Sequence, residues 1–98
     1  MTREEVHNTV VQVLVEIQQQ SGRPISSIRG TTRPFGGLNG FDSINSVEAT
    51  VLLEGRLHCE LGSNPFLPEK GGQPPKIDDI VDRLCQTMSI QSGGPIYE

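Results

Sequence analysis

"GFDSINSVEATVLLEGRLHCEL", residues 40–61, decides how this chain is read. Ala49, Leu52, Leu53, Leu57 and then Leu61 recur at helical spacing and are assigned to a core. Asp42 is a good N-cap, because its carboxylate can accept from the free amides of a first helical turn. The spacing therefore predicts a helix from Asp42 or Ser43 to about His58. A second apolar stripe, Ile44, Val47 and Val51, shares its side of that helix with Glu48 and Glu54. A helix with two stripes is either deeply buried or keeps one for a partner, and the residues alone fit both. Gly55 sits inside the helix at a cost of up to about 1 kcal/mol relative to alanine, and close packing at that point would account for it.

Working outward, the segment before it carries a second helical pattern. Val6, Val10, Val13, Leu14 and Ile17 lie on one face, and Thr2 with Glu5 forms a capping box in which each side chain satisfies a free amide. Ser21, Gly22 and Pro24 supply the stop, so the first helix is expected over residues 3–20. The connection "SGRPISSIRGTTRPFGGLNGFD", residues 21–42, holds five glycines and two prolines. Ile25, Ile28, Phe35, Leu38 and Phe41 are expected to pin it to the core. Its Arg23, Arg29 and Arg33 are read as solvated, in preference to a partner contact. Residues 62–76, "GSNPFLPEKGGQPPK", carry four prolines and three glycines. They leave room for a short helical turn at Pro65-Phe66-Leu67, with Phe66 and Leu67 dipping into the core. Ile77, Ile80, Val81, Leu84 and Met88 mark the last helix. Asp78 and Asp79 complement its dipole, and Pro75 lies just upstream. The fold expected is all-α: a small four-helix bundle of three main helices and one short one, with a long first loop. Residues 1–88 form the domain and 89–98 a flexible tail.

Bulk properties narrow the function. The 98 residues suit one small domain, and 12 acids against 8 bases give a net charge of −4. That charge disfavours a nucleic-acid backbone as partner and suits basic protein surfaces. With 34% hydrophobic residues and no tryptophan, the core must be aliphatic. No apolar run approaches the ~20 residues of a membrane span. "MTREEVHNTV" lacks the layout of a secretory signal. Two cysteines, Cys59 and Cys85, are too few for a disulfide framework. A cytoplasmic, reduced monomer is the expectation. Paired with His58, these cysteines show no metal-ligand spacing. Asp78, Asp79 and Asp82 read as a solvated face, so no metal site is assigned.

Ser43 poses the chemical question. As a hydrolase nucleophile it needs a base within hydrogen-bond reach. His58 lies at the far end of the same helix, about 22 Å away at ~1.5 Å per residue, and no Gly-x-Ser-x-Gly elbow is present. Catalysis by this serine is therefore set aside. A helix start does favour an attached anion, through its free amides and the positive end of its dipole. A neighbouring carboxylate can help an external enzyme activate the hydroxyl or hold its metal ion.

These residues resemble the central segment of acyl carrier proteins. The family hallmark, Asp-Ser-Leu at a helix start followed by an apolar residue and Glu, stands here as Asp42-Ser43-Ile44 with Val47-Glu48. Glu54 and the "LHCEL" ending match the family's acidic helix and its exit, and "KIDDIVDRL" looks like the start of its last helix. The likeness runs from the first helix through residue 88. It implies that Ser43 carries 4'-phosphopantetheine through a phosphodiester, attached from coenzyme A by a phosphopantetheinyl transferase. The arm's thiol would hold acyl groups as thioesters. Ile44, Val47 and Val51 would offer an apolar strip, and Asp42, Glu48 and Glu54 would pair with basic residues, on acyl-activating, condensing or acyl-transferring enzymes. The bundle interior would shelter an acyl chain.

Departures from the pattern are Ile44 for leucine, Gly55-Arg56 for acid, a longer 62–76 segment and no threonine cap on the last helix. They point to a specialised fatty-acid, lipid or polyketide pathway. Two alternatives stand beside this reading: an aminoacyl or peptidyl carrier, which usually lacks the acid before the serine, and a helical interaction domain that carries nothing.

Overall fold

Thr2 accepts from the Glu5 amide at 3.1 Å while the Glu5 carboxylate accepts from the Thr2 amide at 2.9 Å. This reciprocal cap starts α1, Arg3–Gln20, in a computed structural model that describes residues 2–23, 27–69 and 71–91, without the side chains of 90 and 91. Three further helical elements follow: α2 (Pro34–Gly37), α3 (Ser43–Leu57) and α4 (Ile77–Gln91). No strand occurs among the described residues. The radius of gyration is 12.9 Å, about the ~13 Å of a compact chain of this length.

α1 packs against both α3 and α4. Its stripe, Val6, Val10, Val13, Leu14 and Ile17, is buried as its spacing requires. Ala49, Leu53 and Leu57 of α3 and Ile77, Ile80, Val81 and Leu84 of α4 complete the core, with Leu52, Leu61 and Met88 partly buried against it. A salt bridge from Arg56 to Glu16, at 2.6 Å, ties α3 to α1, and Arg3 pairs with Asp82 to tie α1 to α4.

The stop after α1 is a Schellman turn. Gly22 takes φ +68°, its amide reaches Gln19 O at 3.0 Å, and the Arg23 amide reaches Gln18 O at 3.0 Å. The long first loop is ordered where it is described. Leu38 and Phe41 are buried, Ile28 and Phe35 half-buried, and the Phe35 and Phe41 rings meet edge-on at 5.2 Å. Ile25 lies outside the described residues. The loop backbone docks on the start of α4, where Thr32 O accepts from Ile77 N and Gly30 O from Asp78 N, each at 2.9 Å. Asp79 completes that start by accepting from the Lys76 amide at 3.0 Å, which supplies the cap that threonine does not.

Five expectations are corrected. The short helical element is Pro34–Gly37, an irregular turn with Phe35 and Gly36 outside helical angles. Residues 65–67 are a plain turn instead, because Asn64 takes up the local amides: its side-chain oxygen accepts from Phe66 N at 2.9 Å and its carbonyl from Leu67 N at 3.3 Å. Phe66 is fully buried as expected, but Leu67 is 45% exposed. Arg83 holds this segment from α4 by donating to Pro65 O and Leu67 O, at 2.9 and 2.8 Å. Residues 89–91 belong to α4 and not to a tail; the rest of the expected tail, 92–98, lies outside the described residues. Gly55 permits no close packing, since a Cβ there would meet nothing within 4 Å. Arg23 and Arg33 are not simply solvated: Arg23 donates to Asn45 Oδ1 at 2.7 Å, and Arg33 donates to Pro74 O across the two loops. Arg29 is exposed.

Two substitutions should move stability in opposite directions in denaturant melts. Phe66→Ala is expected to cost about 3–5 kcal/mol, through lost burial and the cavity left behind. Gly55→Ala is expected to add about 0.5–1 kcal/mol, because it removes backbone freedom from the unfolded chain and meets no neighbour.

Candidate functional site

The start of α3 is built on a reciprocal cap. Asp42 Oδ1 accepts from the Asn45 amide at 3.0 Å, and Asn45 Oδ1 accepts from the Asp42 amide at 3.2 Å. Ser43 is the first residue of the helix, directly after the cap, and is exposed. Its own amide and that of Ile44 have no acceptor among the described residues. An anion on Ser43 Oγ would therefore sit beside two free N–H groups at the positive end of a 15-residue helix.

Two neighbours hold this turn in place. Asn45 is only 6% exposed although its side chain is wholly polar. Its oxygen also receives Arg23, and its Nδ2 donates to Glu48 Oε1 at 3.2 Å. Ser46 is fully buried. Its hydroxyl donates to Ser43 O at 2.7 Å and accepts from Asn64 Nδ2 at 2.7 Å. The segment around Asn64 is thus fastened to the first turn of α3. The buried polar side chains of Asn45 and Ser46 both meet partners, as the cost of leaving one unpaired demands.

The second stripe faces water. Ile44, Val47 and Val51 are 70, 57 and 61% exposed, so it contributes little to the core. Beside it runs an open groove of about 310 Å³ lined by Val47, Thr50, Val51 and Glu54 of the helix and by the loop residues Gly62, Ser63 and Asn64. Glu48 and Asp42 are exposed next to the stripe. Glu54 is half-buried, and its Oε2 accepts from the Leu61 amide at 2.9 Å, so part of its carboxylate is committed to holding the exit of α3. That exit is His58, in the left-handed conformation at φ 53° and ψ 46°. The imidazole therefore stands at the opposite end of α3 from Ser43.

All seven residues singled out on sequence grounds, Asp42, Ser43, Ile44, Val47, Glu48, Val51 and Glu54, lie on α3 or its cap. Missed were Asn45, Ser46, Asn64 and Arg23. Asn45 was legible in principle, because Asp-x-x-Asn at a helix start is a variant of the capping box. The other three act through contacts distant in sequence.

The cysteines lie away from this turn. Burial pushes both thiols up from their ordinary range, with the Glu54 charge adding to the effect at Cys59, while at Cys85 the Arg3 charge opposes it and that of Asp82 adds to it. A raised pKa leaves less thiolate at neutral pH, and the thiolate is the nucleophile. Iodoacetamide at neutral pH should thus label both far more slowly in the folded protein than in the denatured chain, as followed by intact mass. The Ser46–Asn64 link is tested by Asn64→Ala, which should cost about 1–3 kcal/mol in a chemical melt by leaving buried partners unpaired.

No family model, no curated protein and no solved structure matches this chain.

Proposed function

We propose that the chain is an acyl carrier protein of four-helix-bundle type, working in the cytoplasm as a monomer. The observation that carries the reading is the placement of Ser43: an exposed residue at the first position of α3, next to Asp42, with no acceptor among the described residues for its own amide or that of Ile44. A phosphodiester needs an accessible oxygen and gains from donors that face its charge, and this turn offers both. The residues present therefore fit 4'-phosphopantetheine, with Ser43 Oγ as its point of attachment. When bound, the group supplies a thiol that holds acyl cargo as a thioester.

The chain's own residues do the rest. Asp42 caps the helix start and carries a carboxylate on the residue before Ser43, where a phosphopantetheinyl transferase and its metal ion would meet it. Ser43 is an attachment point and not a catalyst, which is why no base needs to stand near it. Ile44, Val47 and Val51 give partner enzymes an apolar strip, and Asp42, Glu48 and the free part of Glu54 surround it with negative charge. Apolar contact supplies affinity, while the charges orient a basic partner surface during approach. The exposure of the stripe supports partner contact over extra core packing. It supports a carrier and a non-carrying interaction domain alike; the open first turn at Ser43 favours the carrier.

Intact-mass analysis after incubation with coenzyme A and a broad-specificity phosphopantetheinyl transferase should show one added arm on the wild type and none on Ser43→Ala. An unmodified wild type would sink the carrier reading, and partner binding that Ser43→Ala leaves untouched would then favour the interaction domain. Val51→Asp should slow arm attachment by roughly tenfold, since replacing an apolar interface contact by a charge costs at least one interface contact's worth of affinity. Loading assays with acyl against aminoacyl donors then separate the two kinds of cargo.

A further inference from the structure

Arg23 lies twenty positions before Ser43 and on a different segment, yet its side chain ends at the modification turn. Its path is laid out by two glycines. Gly22, at φ +68°, turns the chain back after α1, so that the Arg23 amide returns to Gln18 O at 3.0 Å. The side chain then crosses Gly40. A Cβ at Gly40 would stand 2.7 Å from Arg23 Nε and 3.0 Å from its Cζ, and Gly40 is itself at φ +66°. The guanidinium finally donates from Nη1 to Asn45 Oδ1 at 2.7 Å.

That contact is joined to Asp42 and Glu48 through Asn45. Asn45 Oδ1 receives both Arg23 and the Asp42 amide, which fixes the amide group's orientation and points Nδ2 at Glu48. The backbone amide of Asn45 in turn holds Asp42 Oδ1. A charged donor makes a stronger bond than a neutral one, and Asn45 is nearly sealed from competing water. We infer that Arg23 is a positioning residue for Ser43 modification: through Asn45 it holds the Asp42 carboxylate in the place from which it serves the neighbouring hydroxyl. The inference rests on the carrier reading, and it gives Gly40 a role as the passage that lets the guanidinium through.

The consequence is a split between binding and turnover. The apolar strip that a transferase would grip is untouched by Arg23, whereas the carboxylate beside the reacting hydroxyl depends on it. Arg23→Ala should lower kcat for arm attachment by about tenfold, the effect of losing one charge-assisted hydrogen bond, and leave KM near the wild-type value. Arg23→Lys, which keeps a charged donor, should recover most of the rate. Gly40→Ala should reproduce the loss from the other side by displacing the guanidinium. Hydrogen exchange at the Asn45 amide should quicken in Arg23→Ala and Gly40→Ala and stay slow in Arg23→Lys.

All rates are compared at temperatures where circular dichroism shows each variant folded. Wild-type kcat in Arg23→Ala would overturn the inference. So would a parallel change of kcat and KM that lysine does not rescue, which marks a merely structural arginine. If the wild type itself takes no arm, the carrier reading has failed and the inference falls with it; if the wild type takes the arm but Asn45 protection is unchanged in Arg23→Ala, the positioning alone is overturned.

Discussion

Asn45 occupies a place where a polar side chain is nearly sealed from water, and it is tolerated there because both ends of its amide are used. The oxygen takes the Asp42 amide and the Arg23 guanidinium, while the nitrogen donates to Glu48. Removing any one of these partners would leave a buried group short of a bond, at a cost larger than the bond's net worth. The start of α3, the return of the chain after α1 and the course of the loop over Gly40 must therefore agree with one another. Ser43 owes its exposed position to that agreement: with the cap taken up by Asp42 and Asn45, the first helical residue is left with its hydroxyl and its amide facing outward.

α3 divides its surface between two tasks. Ala49, Leu53 and Leu57 are buried against α1, whereas Ile44, Val47 and Val51 are largely solvated. Burying a valine or isoleucine fully contributes about 1.5–3 kcal/mol, and the fold forgoes most of that at three positions. The rest of the core can bear this because α1 and α4 bring complete apolar stripes and Phe66 fills the space beneath the second loop. The result is an exposed apolar strip edged by Glu48 and part of Glu54, next to an open groove, and it is on this strip that the proposed partner contact rests.

Neither long connection holds its shape by regular secondary structure. Arginines bonded to backbone carbonyls do much of that work: Arg33 reaches Pro74 O, and Arg83 reaches Pro65 O and Leu67 O. A guanidinium has five donors in a rigid fork, which lets one side chain collect carbonyls that proline-rich backbone leaves unpaired. Asn64 adds a direct tie from the second loop to Ser46. The glycine- and proline-rich composition of these loops is thus compatible with order, provided that their carbonyls find donors elsewhere.

Three helices could be read from the residues alone, with ends close to those observed, because periodicity and caps are local: Thr2 with Glu5, Asp42 at the start of α3, and Ile77 through Met88 along one face. The position of Ser43 at a helix tip was legible for the same reason. Tertiary structure alone decided which of the two stripes on α3 would be buried, since helical spacing marks a face as apolar without saying what covers it. It also decided that residues 65–67 would be a turn, because the amides there are captured by Asn64, and that Arg23 would serve the start of α3 and not the solvent. Those outcomes depend on groups far apart in the chain meeting in space, and no local pattern of residue types encodes which donor will find which acceptor.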